Sequence, residues 1–176
     1  MTSLRIVGLT ASAVAVLLSF PATSRAQAKL DDPTIVAIFD LANTWDMETS
    51  AIAEKKGTTA DVRNLAKMFV RDHEMVRQQG RDLARKLGVT PTPPKDFAMA
   101  RSHAETMKQL DGLSGKAFDK AYLENEVAFH KAVIDAINTT LLPALQNAEV
   151  RKLVTTVAPA FKAHQDAAQN LFDKQK

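Results

Sequence analysis

The chain has 176 residues, of which 45% are hydrophobic and 24% charged, a composition that fits one ordinary globular domain and excludes low-complexity disorder. It contains no cysteine, which excludes disulfides, thiolate metal sites and cysteine nucleophiles together. The net charge of +3 is mild, and no basic run with interleaved aromatics occurs, so nothing points to nucleic acid.

The first predicted element is a secretory leader. Arg5 supplies a short basic start, an apolar stretch follows from about Ile6 to Phe20, and Pro21 breaks it. The "AQA" of residues 26–28 fits the small-x-small cleavage rule, so residues 1–28 are read as a signal peptide and 29–176 as one domain. The apolar stretch is short for a membrane span. Its removal takes Arg5 and Arg25 and no acid, so the mature chain is close to neutral. The expected location is the periplasm or the exterior, with association at the outer membrane left open and no transmembrane segment after cleavage.

The mature chain is helical throughout its pattern. A first helix is predicted from about Pro33 to Lys56, with Asp31 or Asp32 as N-cap, proline in the first turn and Gly57 as the stop. Its stripe reads Ile38, Leu41 with Ala42, Trp45 and Ile52, and Glu48 falls among them. A second helix runs from about Thr59 to Leu87, opened by "TTAD" and closed by Gly88. Val62, Leu65 with Ala66, Phe69, His73, Val76, Leu83 and Leu87 form its face. The connection between the two is so short that they must form an antiparallel hairpin.

"GVTPTPPK", residues 88–95, holds three prolines and cannot be helix. Residues 96–111 form a weaker amphipathic segment, so 88–115 has the length of a bundle crossover. A third long helix is predicted over Lys116–Leu145, with Pro143 kinking or ending it, and a fourth over Ala148–Phe172, bent at Pro159. The fold class is therefore all-α: a ferritin-like four-helix bundle with a long, partly helical crossover between the second and third bundle helices.

Each bundle helix carries an ionisable group on its apolar stripe: Glu48, His73, Glu126 with His130, and His164. At a rise of about 1.5 Å per residue, counting from the turns brings the three histidines to one mid-height level. Glu48 starts roughly 9 Å nearer one end, and its lean toward the helix N-terminus closes part of that gap. Glu126, one turn before His130, leans away and ranks last. Three imidazoles and a carboxylate buried together are costly unless they satisfy one another or bind a cation. They suit one transition-metal ion (Zn, Cu, Fe or Ni). The other reading is a structural or interaction module with a hydrogen-bonded polar layer and no metal. His103 is assigned to the surface, Asp72 to the surface or to a supporting place behind a ligand, Met47, Met68 and Met75 to core filling, and Trp45 to the core.

The segments "AKMFVRDHEMV", "LSGKAFDKAYLENEVAFHKAVI" and "APAFKAHQDA" resemble a bacterial family of exported, ferritin-like proteins. That family is known as a domain of unknown function and is often labelled an outer membrane protein. The marks are the Asp72–His73 pair, the G-x-x-F-D-x-x-Y opening at Gly115 and the two later histidines, over about residues 32–172. The resemblance implies a ferritin-like fold and no established activity. A barrel is excluded, because alternating strands are missing.

Di-iron proteins of this architecture place Glu-x-x-His on two helices. Here the residues three before His73, His130 and His164 are Val70, Val127 and Phe161, so that oxygen chemistry is not expected. No phosphate-cradling loop, nucleophile elbow or His-Glu-x-x-His occurs, and the chain is read as leaning away from enzymes.

Overall fold

The computed structural model describes residues 30–95 and 97–175, so the leader expected at 1–28 lies outside them. Among the described residues there is no strand. The elements are α1 (Asp32–Lys56), α2 (Ala60–Leu87), α3 (Ala98–Gly112), α4 (Gly115–Ala136), a π-helical turn (Ile137–Leu141), the single turn α5 (Leu142–Ala144) and α6 (Ala148–Asp173).

Local chemistry sets the boundaries. The Asp31 carboxylate accepts from the Thr34 amide at 2.9 Å, the Thr59 hydroxyl from Val62 at 3.2 Å, and the Asn147 side chain from Glu149 and Val150 at 2.9 and 3.1 Å. Each satisfies amides that the first helical turn cannot. Gly88 closes α2 in the left-handed region at φ 65°, where a β-carbon is strained. Gly57 is needed for space: a β-carbon there would lie 2.8 Å from the Ala53 carbonyl.

Hydrogen bonds at the helix ends fix the topology. At one end Asp32, opening α1, accepts from the Gln146 and Asn147 amides of the α5–α6 turn, both at 2.9 Å. At the same end Thr92, just past α2, donates to Pro33 O at 3.2 Å. At the other end Asp119, in the first turns of α4, accepts from the amide and hydroxyl of Thr58 in the α1–α2 turn. There Lys56 also donates to the carbonyls of Leu110 and Asp111, closing α3, both at 2.8 Å. The crossover therefore travels the full length of the bundle. α1 and α6 run one way, α2 and α4 the other, and α1 packs on α2 and α4 while α6 packs on α4 and α2. That arrangement is the ferritin-like four-helix bundle, with α3 lying along α1 and α4.

The third bundle helix departs from expectation. Regular helix ends at Ala136 rather than continuing to Leu145, and the chain takes a π turn in which the Leu142 amide reaches Ile137 O. Pro143 is the physical reason: it has no amide to donate, and its ring would strike the Thr139 carbonyl of a straight helix. Pro159 does not interrupt α6. It is exposed, and the carbonyl it leaves without an amide belongs to exposed Thr155.

The core has two apolar halves. Ile35, Phe39, Val133, Ile137, Val154 and Phe161 belong to one, and Ala53, Val62, Ala66, Leu110, Phe118 and Leu123 to the other. Each fully buried large aliphatic or aromatic side chain contributes roughly 1.5–3 kcal/mol. Those contributions offset the cost of what lies between the halves, a layer of buried polar side chains that includes Asn43, Asp46, Thr49, Ser50, His73, Glu126, His130 and His164.

Candidate metal centre

The three histidines meet. Ring centroids are 5.0 Å apart for His73 and His164, and 5.5 Å for His130 with either partner. Phe69 braces the group, its ring 4.5 Å from His164 and 5.2 Å from His130. The common height expected from counting residues is thus present, contributed by α2, α4 and α6.

The outer hydrogen bonds of each ring decide where its lone pair points. Asn43 donates its amide to Phe39 O at 2.7 Å, so its carbonyl oxygen faces His73 Nδ1 at 2.9 Å and must accept from it. His73 therefore carries its proton on Nδ1 and its lone pair on Nε2. His130 Nδ1 lies 2.9 Å from Glu126 O, an acceptor, which leaves the lone pair on Nε2. His164 Nε2 lies 3.2 Å from the Asp72 carboxylate, which leaves the lone pair on Nδ1. His164 Nδ1 and His73 Nε2 are then two lone pairs facing each other at 3.1 Å. An imidazole whose far nitrogen is held by a carbonyl or carboxylate is the arrangement that orients a histidine toward a cation.

Asp46 lies against two of the three rings. One turn from Asn43 on α1, it brings Oδ1 to 3.4 Å from His73 Nε2 and Oδ2 to 3.5 Å from His130 Nε2. With metal–ligand bonds of about 2.1 Å, neighbouring donors of a tetrahedral sphere stand about 3.4 Å apart. The donor atoms of His73, His130 and His164 all lie within 4.8 Å of one another, as do those of Asp46, Glu126 and His130. Asp46 Oδ2, Glu126 Oε2 and His130 Nε2 are fully buried without a hydrogen-bond partner. Buried polar atoms are rarely left so. The chemistry of the donor set and these orphaned atoms fit a bound cation.

Burial dominates the electrostatics. It pushes His73 well below the ordinary histidine range, with His130 and His164 adding to the effect, and holds His130 down at about 3. His164 is lowered by burial too, against the pull of Asp72. All three imidazoles are neutral at neutral pH, the state that ligates. Burial raises Asp46 to about 7 and, with the Asp46 charge, raises Glu126 well above the carboxylate range. Two carboxyl groups this close hold a proton between them when no cation is present. Glu126 also accepts from the Thr49 hydroxyl at 3.1 Å, and Ser50 links Asp46 to Tyr122, whose phenol is pushed up by burial and by the two carboxylates.

The carboxylate expected from α1 is corrected. Glu48 does not reach the centre: its side chain is 50% exposed and pairs with His103 at 2.7 Å. Residues 46 and 48 differ by about 200° around a helix, so Asp46 faces inward where Glu48 faces out. Glu126, ranked last, is fully buried with Oε2 3.6 Å from His130 Nδ1. Two readings of other residues also differ. His103 is not a free surface group but stacks on Trp45 with centroids 5.4 Å apart. Met75 is exposed rather than core. Asp72 is partly exposed and lies behind His164, in keeping with a surface or supporting place.

The fold and the site define a four-helix bundle whose midsection buries three histidines and two carboxylates. Residues 18–171 match the family described as domain of unknown function DUF4142, and the chain belongs to that family. No curated protein matches. Among solved structures, the chain is similar to the crystal structure of a DUF305 fragment from Deinococcus radiodurans, at 14% identity and a TM-score of 0.72, covering 81% of this chain and 95% of that one. At that identity the likeness speaks for the fold.

Proposed function

We propose that this protein is an exported, periplasmic bundle that holds one transition-metal ion through His73 Nε2, His130 Nε2, His164 Nδ1 and Asp46, with Glu126 as the partner that shares the Asp46 proton when the ion is absent. The observation that carries the reading is the hydrogen-bond chain fixing three imidazole lone pairs inward, toward one another and toward an unpaired carboxylate oxygen. Neutral imidazoles with one carboxylate suit Zn, Cu, Fe or Ni. The reading is metal retention in the cell envelope rather than catalysis. Export rests on the leader pattern of Arg5, the apolar run and "AQA", and it requires a mature chain beginning after Ala28 in the periplasmic fraction, read by intact mass.

The test is elemental analysis of the protein purified from its native compartment, beside His73→Ala and His164→Ala. Near-stoichiometric metal in the wild type, lost in both variants, is the expected result. Metal absent from all three would instead favour the purely hydrogen-bonded layer.

Binding must also release a proton. Asp46 with a pKa of about 7 is protonated below neutrality, and an ion must displace that proton, whereas the histidines are already neutral. Zinc affinity is expected to fall by up to about tenfold per pH unit below 7 for this one proton. Calorimetry at pH 6 in buffers of different ionisation enthalpy should count about one proton released per ion. A buffer-independent enthalpy would contradict the assignment of Asp46.

A further inference from the structure

The centre has no open face through the bundle ends, because both apolar halves of the core close over it. One cavity reaches it from the side. Between α1, α3 and α4 lies a cleft of about 240 Å³ whose walls include Trp45, Met99, His103, Asn125 and Phe129, and whose lining includes Asp46. Asp46 is 1% exposed, and its Oδ2 has no partner. At the cleft wall stands His103 on α3, its ring flat against Trp45 and its Nε2 2.7 Å from Glu48. Polar atoms continue inward from there. Thr106, one turn along α3, donates to Asn125 at 3.2 Å, and Asn125 and Thr49 donate to Glu126 at 3.4 and 3.1 Å.

We infer that this cleft is the route by which the cation reaches the buried centre, and that His103 with Glu48 forms a transient binding site on the way in. The inference rests on the metal reading above. A hydrated divalent cation does not cross packed aliphatic side chains, since stripping its water without replacement is prohibitive. An imidazole and a carboxylate held 2.7 Å apart replace part of that hydration, and the hydroxyls and amide behind them replace more. The half-exposed Glu48 carboxylate beside the cleft attracts a cation, which raises its local concentration. This explains why His103 of the crossover helix α3 and Glu48 of α1, neither with a place in the centre, are paired beside the cleft.

The opposite approach, between α2 and α6, is narrower in chemistry: Asp72 is partly exposed, but the His164 ring stands between it and the centre. The experiment is stopped-flow uptake of cobalt(II) by the metal-free protein. Binding is followed by visible absorption and by quenching of Trp45, the sole tryptophan of the chain and part of the cleft wall. Uptake by His103→Ala, Glu48→Gln and Ala128→Phe is expected to be slowed at least about fivefold, with the amount bound at equilibrium unchanged. Glu48→Gln alters an exposed side chain and leaves α3 seated, so it guards against a folding defect in the other two. Wild-type rates in all three variants overturn the route while leaving the metal reading intact. Slowing in Asp72→Asn alone moves the route to the α2–α6 side and also overturns it. A wild-type protein that takes up no cobalt overturns both readings together.

Discussion

Excess zinc added to the metal-free protein is expected to raise its melting temperature by about 12 °C, and a chelator to return it to the starting value. An ion that binds only the folded state stabilises it by about 4 kcal/mol when free ion stands a thousandfold above its dissociation constant. For a domain of this size each kcal/mol moves the midpoint by about 3 °C. The effect is large because the metal-free centre is expensive. Two lone pairs face each other across 3.1 Å between His164 and His73, and three buried polar atoms lack partners. His73, His130, His164 and Asp46 would hold a bound cation through the facing lone pairs and the unpaired Asp46 and His130 atoms. Scanning calorimetry of apo, zinc-loaded and chelated samples checks this, and melting curves that coincide within a degree or two would sink the metal centre.

The helices were legible because their ends are chemically marked. Asp31, Thr59 and Asn147 are caps with short side-chain acceptors, and Gly57 and Gly88 sit where a β-carbon is crowded or strained. Those same markers made the histidine level legible, since a helix has a fixed rise and the turns give the zero of the scale. The stretch 137–144 was not legible in the same way. A proline announces a disturbance, but whether the chain answers with a kink, a stop or a π turn depends on packing around Ile137 and Leu141, which are buried.

The carboxylate was misassigned on α1 because that helix hides its face. Its buried side carries Asn43, Asp46, Thr49 and Ser50, while Leu41 and Ile52 lie only part-buried at its flank. A stripe drawn through the apolar residues is therefore rotated and catches Glu48. The series Ile35, Phe39, Ala42, Asp46, Thr49 and Ala53 was present at helical spacing and would have found the inward face. Small residues at 42 and 53 and short hydroxyls at 49 and 50 were the available signal. Glu126 was underrated for a related reason: its own lean carries it away from His130, but the His130 ring leans back over the same turn, and the two meet.

Asp46→Asn is expected to move binding and stability in opposite directions. Loss of the charged ligand should weaken zinc binding by at least about 100-fold, more than is usual for removing a residue that merely supports a ligand. The metal-free protein should become more stable. A carboxyl raised in the folded state to about 7, from 3.8 when unfolded, binds its proton more tightly folded. Stability from that proton is complete below pH 3.8 and is lost as pH rises through 7, a loss of roughly 4 kcal/mol above neutrality. Asparagine nearly keeps the shape, donates to Glu126 and removes the titration. The variant's gain in melting temperature should therefore be several degrees at pH 7.5 and vanish near pH 4, while the histidine contributions, common to both proteins, cancel. Denaturation at the two pH values with a zinc titration at the upper one checks both halves. A metal-free variant less stable than wild type at pH 7.5, or one that keeps wild-type affinity, would show that Asp46 is held in place for structure rather than for a cation. The expected result would show that the fold tolerates an unfavourable carboxylate because an ion needs it.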